Sequence, residues 1–354
     1  MLIRLWHRIR QSTFFVKWTQ WEYYPVYIAN IPTVLFWLYF ALRARALFYF
    51  STVNPVIETG GVMGESKINI LRRLPARAIP RTVLVGPADR AWSRLRARLA
   101  AAGIDYPLVA KPDVGERGFL VEKIDDPVAL QQYLARVSVD FIVQDFVDYP
   151  LEISVLYYRM PGAENGKITS VCIKKTLRVR GDGRSTIEDL MRAYPRARFQ
   201  LARFRQQRAD LLRRVPAAGE EVELEPIGNH SRGTTFLNGN AHIDAALHRV
   251  FDDLSREMAG IHYGRFDLKC ASIEALREGR DFRVLEFNGI ASEPAHIYDP
   301  AYPTWRAYRD IFAHWKIIYQ ISCVQRRLGI QPMSWGEAYA SVRTYFRYLR
   351  TAKA

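Results

Sequence analysis

Polar and apolar positions alternate over residues 264–269 and again over 283–288. Side chains two apart on a strand share a face. Arg265, Asp267 and Lys269 therefore lie on one side of the first segment, with Phe266, Leu268 and Cys270 on the other. In the second segment Glu286 and Asn288 share a side, and Leu285 and Phe287 point away. Each segment predicts a strand with one face for a core and one face of oxygen donors and cations. The same reading predicts strands at 81–86, 107–111, 119–123, 141–147, 152–159, 169–179 and 220–225. Helical spacing and end signals predict a helix over 66–80 stopped by Pro75 and Pro80, and a basic one over 91–102 ended by Gly103. Another is capped by Asp126 with Pro127 at its first position, and one is opened by a Ser185-x-x-Glu188 capping box. A very basic helix is expected over 196–214, and an apolar stripe through Ala245, Val250, Leu254 and Met258 predicts one over 242–261. Residues 304–350 read as helical, aromatic and basic, and 229–240 as a polar loop. Strands interleaved with helices and antiparallel hairpins predict an α+β chain of two lobes with a ligand between them.

Composition narrows the class. The chain has 354 residues, 49% of them hydrophobic, enough for two lobes with a real core and against global disorder. Its net charge of +15 favours an anionic partner: a nucleotide, a lipid surface or a nucleic acid. Cys172, Cys270 and Cys323 are scattered, which predicts neither a zinc site nor a disulfide framework and fits a reducing compartment. Residues 23–42 carry no formal charge, but Pro25, Asn30 and Pro32 interrupt them and Arg43 and Arg45 follow. Arg4, Arg8, Arg10 and Lys17 precede this stretch among the aromatics Trp6, Phe14, Phe15, Trp18 and Trp21. The expectation is an interfacial anchor, with helices packed on the lobes or a true span as the alternatives.

The candidate chemistry sits on the polar strand faces. Asp267, Glu286 and Asn288 offer the hard oxygen donors that Mg²⁺ prefers beside phosphate oxygens. Lys111 ends an apolar strand and precedes a loop, 113–118, that carries Gly115 and Gly118. Glycines let backbone N–H groups approach phosphate, and a lysine adds a point charge.

Arg-x-Asp on one strand followed by Glu-x-Asn on the next resembles the metal end of the ATP-grasp superfamily, in its carboxylate–amine ligase branch. That branch includes D-alanine–D-alanine ligase, glutathione synthetase and cyanophycin synthetase. The resemblance covers about 66–300. It implies ATP with Mg²⁺, or Mn²⁺ in its place, held by Asp267, Glu286 and Asn288, with Arg265 beside the transferred phosphate. It implies that Lys67 and Lys111 bind phosphate and that 113–118 is a lid. Gln144, Asp145 and Val147 then stand at the adenine hinge, Gln144 replacing the usual acidic residue, and Glu152 meets ribose. Lys174, before the Gly181-Asp182-Gly183-Arg184-Ser185-Thr186-Ile187 run, is similar to the cyanophycin-synthetase basic residue. Asn229-His230-Ser231-Arg232-Gly233-Thr234-Thr235 resembles the family's Asn-x-Ser-x-Gly-Gly loop, which implies catalytic roles for Ser231 and Arg232.

The implied reaction has two steps. A carboxylate takes the γ-phosphoryl group to give an acyl phosphate and ADP, and an amine then displaces phosphate. The expected organisation is an aromatic, basic appendage over 1–58, lobes over 59–145 and 146–300, and a basic helical tail over 301–354. The family usually has a full α/β domain before the lobes. Its replacement by the appendage motivates a substrate that is either a small molecule or lipid-linked. The expected partners are carboxylate and amine substrates and an anionic membrane surface, with no nucleic acid and with a homodimer left open. The expected location is cytoplasmic, peripheral at the inner face of the membrane. The competing readings are a kinase that stops at phosphoryl transfer and a non-catalytic binder of anionic surfaces.

Overall fold

The computed structural model describes residues 24, 29–115 and 118–352. The aromatic, basic stretch before Tyr24, and Glu116 and Arg117 of the expected lid, lie outside the described residues. Eleven strands are described: β1 Thr82–Val85, β2 Leu108–Pro112, β3 Glu122–Ile124, β4 Phe141–Asp145, β5 Leu151–Tyr158, β6 Lys167–Lys175, β7 Leu177–Arg180, β8 Glu221–Glu225, β9 Thr235–Asn238, β10 Tyr263–Cys270 and β11 Phe282–Asn288. They form an antiparallel four-stranded sheet in the order β1-β4-β2-β3, a five-stranded one in the order β11-β10-β5-β6-β9, and a β7-β8 ribbon. The chain is α+β and two-lobed, one lobe around each of the larger sheets.

Alternation decides what each sheet face does. In the smaller sheet Leu108, Ala110, Phe141 and Val143 pack under the helices Trp92–Ala102 and Pro127–Arg136 through Leu95, Leu99, Leu130 and Tyr133. The opposite face presents Val109, Lys111 and Gln144 to a cavity. In the larger sheet Val155, Phe266 and Leu268 pack on the helix Ala245–Glu257 through Leu247, Phe251 and Leu254. Ile68, Ile70 and Leu71 join this second core, so the helix Lys67–Leu71 bridges toward the first lobe from below the larger sheet's strands.

Several elements differ from the sequence reading. The helix expected over 66–80 runs only Lys67–Leu71, capped by Ser66, and a 3-10 turn Ala76–Ala78 follows. Pro75 has no N–H to give and its ring blocks the preceding turn. The strand at 119–123 begins later, at Glu122. The helix after the Gly-Asp-Gly turn is capped by Thr186, whose hydroxyl accepts from Asp189 N, while Ser185 is held by Asp182. The basic helix over 196–214 is three pieces, Pro195–Arg198, Leu201–Gln207 and Ala209–Arg213. The last two pieces meet at Arg208. Arg208 leaves helical geometry and donates to Leu224 O at 2.9 Å. The strand over 169–179 divides at Thr176, giving β6 to the large sheet and β7 to the ribbon.

Residues before the first lobe are built into the molecule. The helix Ile31–Ala44 packs on the helix Thr304–Arg327, with Phe36 on Phe312 at 5.0 Å and Phe40 on Tyr319 at 5.2 Å between ring centres. Asn54, fully buried, donates to Gly60 O and Tyr263 O and accepts from His262 N and Tyr263 N. Among the described residues no helix is long and apolar enough to cross a membrane. The last helix, Trp335–Thr351, rests on the first lobe, where the Tyr348 hydroxyl accepts from Val114 N and donates to Asp140 O, each at 3.3 Å.

Candidate functional site

A cavity of about 670 Å³ lies between the two sheets. Every site residue expected from the sequence lines it except Arg232. Strand register explains the convergence. Asp267 faces Glu286 across β10 and β11, Arg265 faces Asn288, Lys269 faces Glu152, and Glu152 faces Lys174. One-strand alternation puts each of these on the cavity side, and antiparallel pairing sets them side by side.

Asp267 is the centre of a buried ion network. Arg265 grips it with Nε and Nη2, both at 3.1 Å, and Lys174 Nζ lies 3.3 Å away. The Ser154 hydroxyl donates to Oδ1, and Asn288 Nδ2 donates to Oδ2 at 2.9 Å. Burial pushes the Asp267 carboxyl up, but Arg265 and Lys174 outweigh it and hold the group well below the usual carboxylate range. Burial likewise opposes the Lys174 ammonium, yet Asp267 and Glu152 (3.1 Å) raise it above the lysine range. Two carboxylates and two cations thus neutralise one another inside the lobe. Gly228 makes this fit possible: a Cβ there would lie 2.1 Å from Glu152 Oε1.

Two lysines approach β11 from the other side of the cavity. Lys67 Nζ is 3.5 Å from Glu286 Oε1 and donates to Gly115 O at 2.6 Å. Lys111 Nζ donates to Leu285 O at 3.0 Å. Among the described residues no carboxylate lies within ion-pair distance of Lys111, which leaves donors on its ammonium for a ligand. Burial lowers its pKa to about 8, against the pull of Glu286.

Among the described residues no three His, Cys, Asp or Glu side chains cluster tightly enough to hold a metal by themselves. Mg²⁺ normally takes one or two protein carboxylates and completes its shell with water and phosphate oxygens. Glu286 and the Asn288 carbonyl oxygen fit that requirement: among the described residues Glu286 has the one long ion-pair contact to Lys67, and Asn288 spends its NH₂ on Asp267. Asp267 shares their face, but its oxygens already accept from Ser154, Arg265, Lys174 and Asn288. These contacts hold Arg265, Lys174 and Asn288 beside it.

At the lobe junction Gln144 Nε2 donates to Thr82 Oγ1 at 3.0 Å, and Asp145 pairs with Arg81. Lys269 Nζ donates to Val147 O at 3.1 Å. Phe146 sits between two cations, Lys123 at 4.9 Å and Lys269 at 5.1 Å from its ring centre. Phe146 and Lys269 line the cavity and were not among the sequence candidates. Alternation had already put Lys269 on the right face. Tyr345 and Tyr298 also line it, and nothing local in the sequence marks them, because distant helices and turns carry them there. In the loop after β8, Ser231 N and Oγ both donate to Asn229 Oδ1. Arg232 turns away from the cavity: Nη2 donates to Gly118 O at 2.5 Å and Nη1 lies 3.6 Å from Glu225. It ties the second lobe's loop to the glycine loop of the first.

No family model matches the chain. No curated protein matches it either. Solved structures do. A bifunctional glutathione synthetase from Pasteurella multocida matches at TM-score 0.37 and 14% identity, over 72% of this chain and 38% of that one. The VanG D-Ala:D-Ser ligase from Enterococcus faecalis matches at TM-score 0.43 and 12% identity, over 74% of this chain and 63% of that one. The D-alanine–D-alanine ligase from Bacillus anthracis matches at TM-score 0.42 and 12% identity, over 77% and 70%. The chain therefore spans well under half of the first of these and about two thirds of the second. The superpositions are loose, and the chemistry of the cavity rests on its own residues. In outline the chain is similar to carboxylate–amine ligases, the class its strand motifs resemble.

Proposed function

We propose that this protein is an ATP-dependent ligase that joins a carboxylate to an amine. One observation carries the reading: Lys67 and Lys111 from one side, and Arg265, Glu286 and Asn288 from the other, meet across a single cavity between two lobes. A triphosphate is the ligand whose charge that arrangement matches, since phosphoryl transfer needs neutralised charge and correct placement more than a protein nucleophile. Glu286 and Asn288 would hold Mg²⁺, which supplies charge neutralisation on the phosphate oxygens. Lys111 offers its remaining N–H groups to phosphate. Glu152, fixed by Lys174, stands on β5 where a ribose hydroxyl would be accepted.

The substrate carboxylate would be activated as an acyl phosphate, with ADP leaving, and the amine would then displace inorganic phosphate. Arg265 is held on Asp267 with Nη1 toward Glu293 O at 3.4 Å, so its charge faces the reacting groups in a fixed orientation. Lys67 donates to Gly115 O and Arg232 to Gly118 O, and these two glycines line the cavity, where they would help keep water from the activated acid. The test is a screen of carboxylate and amine pairs for Mg²⁺-dependent ADP release, with Glu286→Gln as the blank. Release that needs both substrates supports the ligase. Release with the acid alone, undiminished by omitting every amine, would make it a phosphoryl-transfer enzyme. Absence of Mg²⁺-dependent ATP binding by calorimetry would remove both.

A further inference from the structure

The helix Ile31–Ala44 buries one side on the helix Thr304–Arg327 through Phe40, Ala41 and Ala44. Among the described residues its other side is uncovered and apolar. Ile31, Leu35, Leu38 and Leu42 repeat at spacings of three and four, and are 57%, 59%, 38% and 79% exposed. A continuous exposed stripe of this kind on a soluble surface marks a binding face.

The charges around it point to one occupant. At one end of the helix stand the exposed Arg43 and Arg45. At the other end the Tyr308 hydroxyl donates to Ala29 O, which brings the first turn of the helix Thr304–Arg327 alongside. The start of that helix carries the exposed Trp305 with Arg306 and Arg309 over its ring at 5.1 and 5.8 Å, Arg309 also pairing with Asp310 at 3.0 Å. A second copy packed on this face about a two-fold axis would set these arginines against their own equivalents. Anionic headgroups would complement them, and an exposed Trp suits the headgroup level. Fourteen helical residues reach about 21 Å, short of a hydrocarbon core of roughly 30 Å, so the helix would lie along a bilayer and not through it.

We propose that the outer face of the helix Ile31–Ala44 is a docking surface for an anionic lipid bilayer. The residues just before the stripe, Ala29 and Asn30, line the cavity together with Tyr24 and Tyr298. Docking would therefore place the cavity beside the headgroups and give access to a substrate carried there. The surface does not depend on the ligase reading, because its test needs no turnover.

The experiment is flotation of the full chain with vesicles of equal parts phosphatidylcholine and phosphatidylglycerol, and with phosphatidylcholine alone. The protein should float with the anionic vesicles only. Leu35→Glu with Leu42→Glu, two exposed positions, should lower the bound fraction by about tenfold or more with the thermal midpoint unchanged. Tyr339→Glu with Phe346→Glu, on a separate exposed stripe of the last helix, should leave it unchanged. The proposal is overturned by equal flotation of the Leu35/Leu42 variant and the wild type, by loss confined to the Tyr339/Phe346 variant, or by no flotation at all. It is also overturned if the Leu35/Leu42 variant converts a dimer to a monomer in light scattering.

Discussion

Lys111 is a cation that its surroundings work against. Burial lowers its pKa to about 8, while an unfolded lysine holds its proton to roughly pH 10.4. Between those values the unfolded chain binds the extra proton, so this group's contribution to stability rises as pH climbs from about 8 toward 10. A bound polyanion acts the other way on the folded state and favours the ammonium. ATP binding near pH 8 should therefore take up a fraction of a proton and weaken as pH rises through that value. Calorimetry in two buffers of different ionisation enthalpy measures this directly. The uptake should vanish in Lys111→Met, and an unchanged uptake there would take Lys111 out of phosphate contact. Asp267 shows the opposite case, a buried anion over-provided with partners. Asp267→Asn leaves Lys174 paired with Glu152 and takes from Arg265 its ion-pair partner, and should cost about 3–5 kcal/mol in urea unfolding. A loss under 1 kcal/mol would mean that the network is solvated.

At the scale of elements, the strands that carry the site were readable because alternation is a local property. Residues 264–269 and 283–288 show their two faces without help from the rest of the chain, and they are β10 and β11. Helix extents were less readable, since they depend on what each turn packs against. The basic helix breaks at Arg208, which leaves helical geometry as its guanidinium donates to Leu224 O. Thr186 displaces Ser185 as the cap because the Asp182 turn claims the serine. Loop positions obey similar tertiary limits. Gly228 lies on β8's return path, and a methyl group there would meet the Glu152 carboxylate at 2.1 Å. Gly228→Ala should push Glu152 off Lys174, cost about 1–3 kcal/mol, and weaken ATP affinity, with secondary structure intact by circular dichroism. Unaltered affinity would separate Glu152 from the nucleotide.

At the scale of the whole molecule, the segment before the first lobe is tied into the second. Asn54 satisfies the backbone of Gly60, His262 and Tyr263 at once, next to the strand that carries Arg265 and Asp267. Asn54→Ala should strand two buried N–H groups and a carbonyl, costing about 3 kcal/mol or more and lowering the thermal midpoint. A change below 1 kcal/mol would mean that water replaces the amide. The sequence by itself determined the α+β class and the two site strands with their polar faces turned to one cavity, because side-chain period and residue chemistry are written locally. Only the tertiary structure decided that Asp267 is spent on Arg265 and Lys174, that Arg232 latches a loop outside the cavity, and that Phe146 and Tyr298 line it. Partners across a sheet or between lobes are set by register and packing, which bring together residues that no spacing along the chain connects.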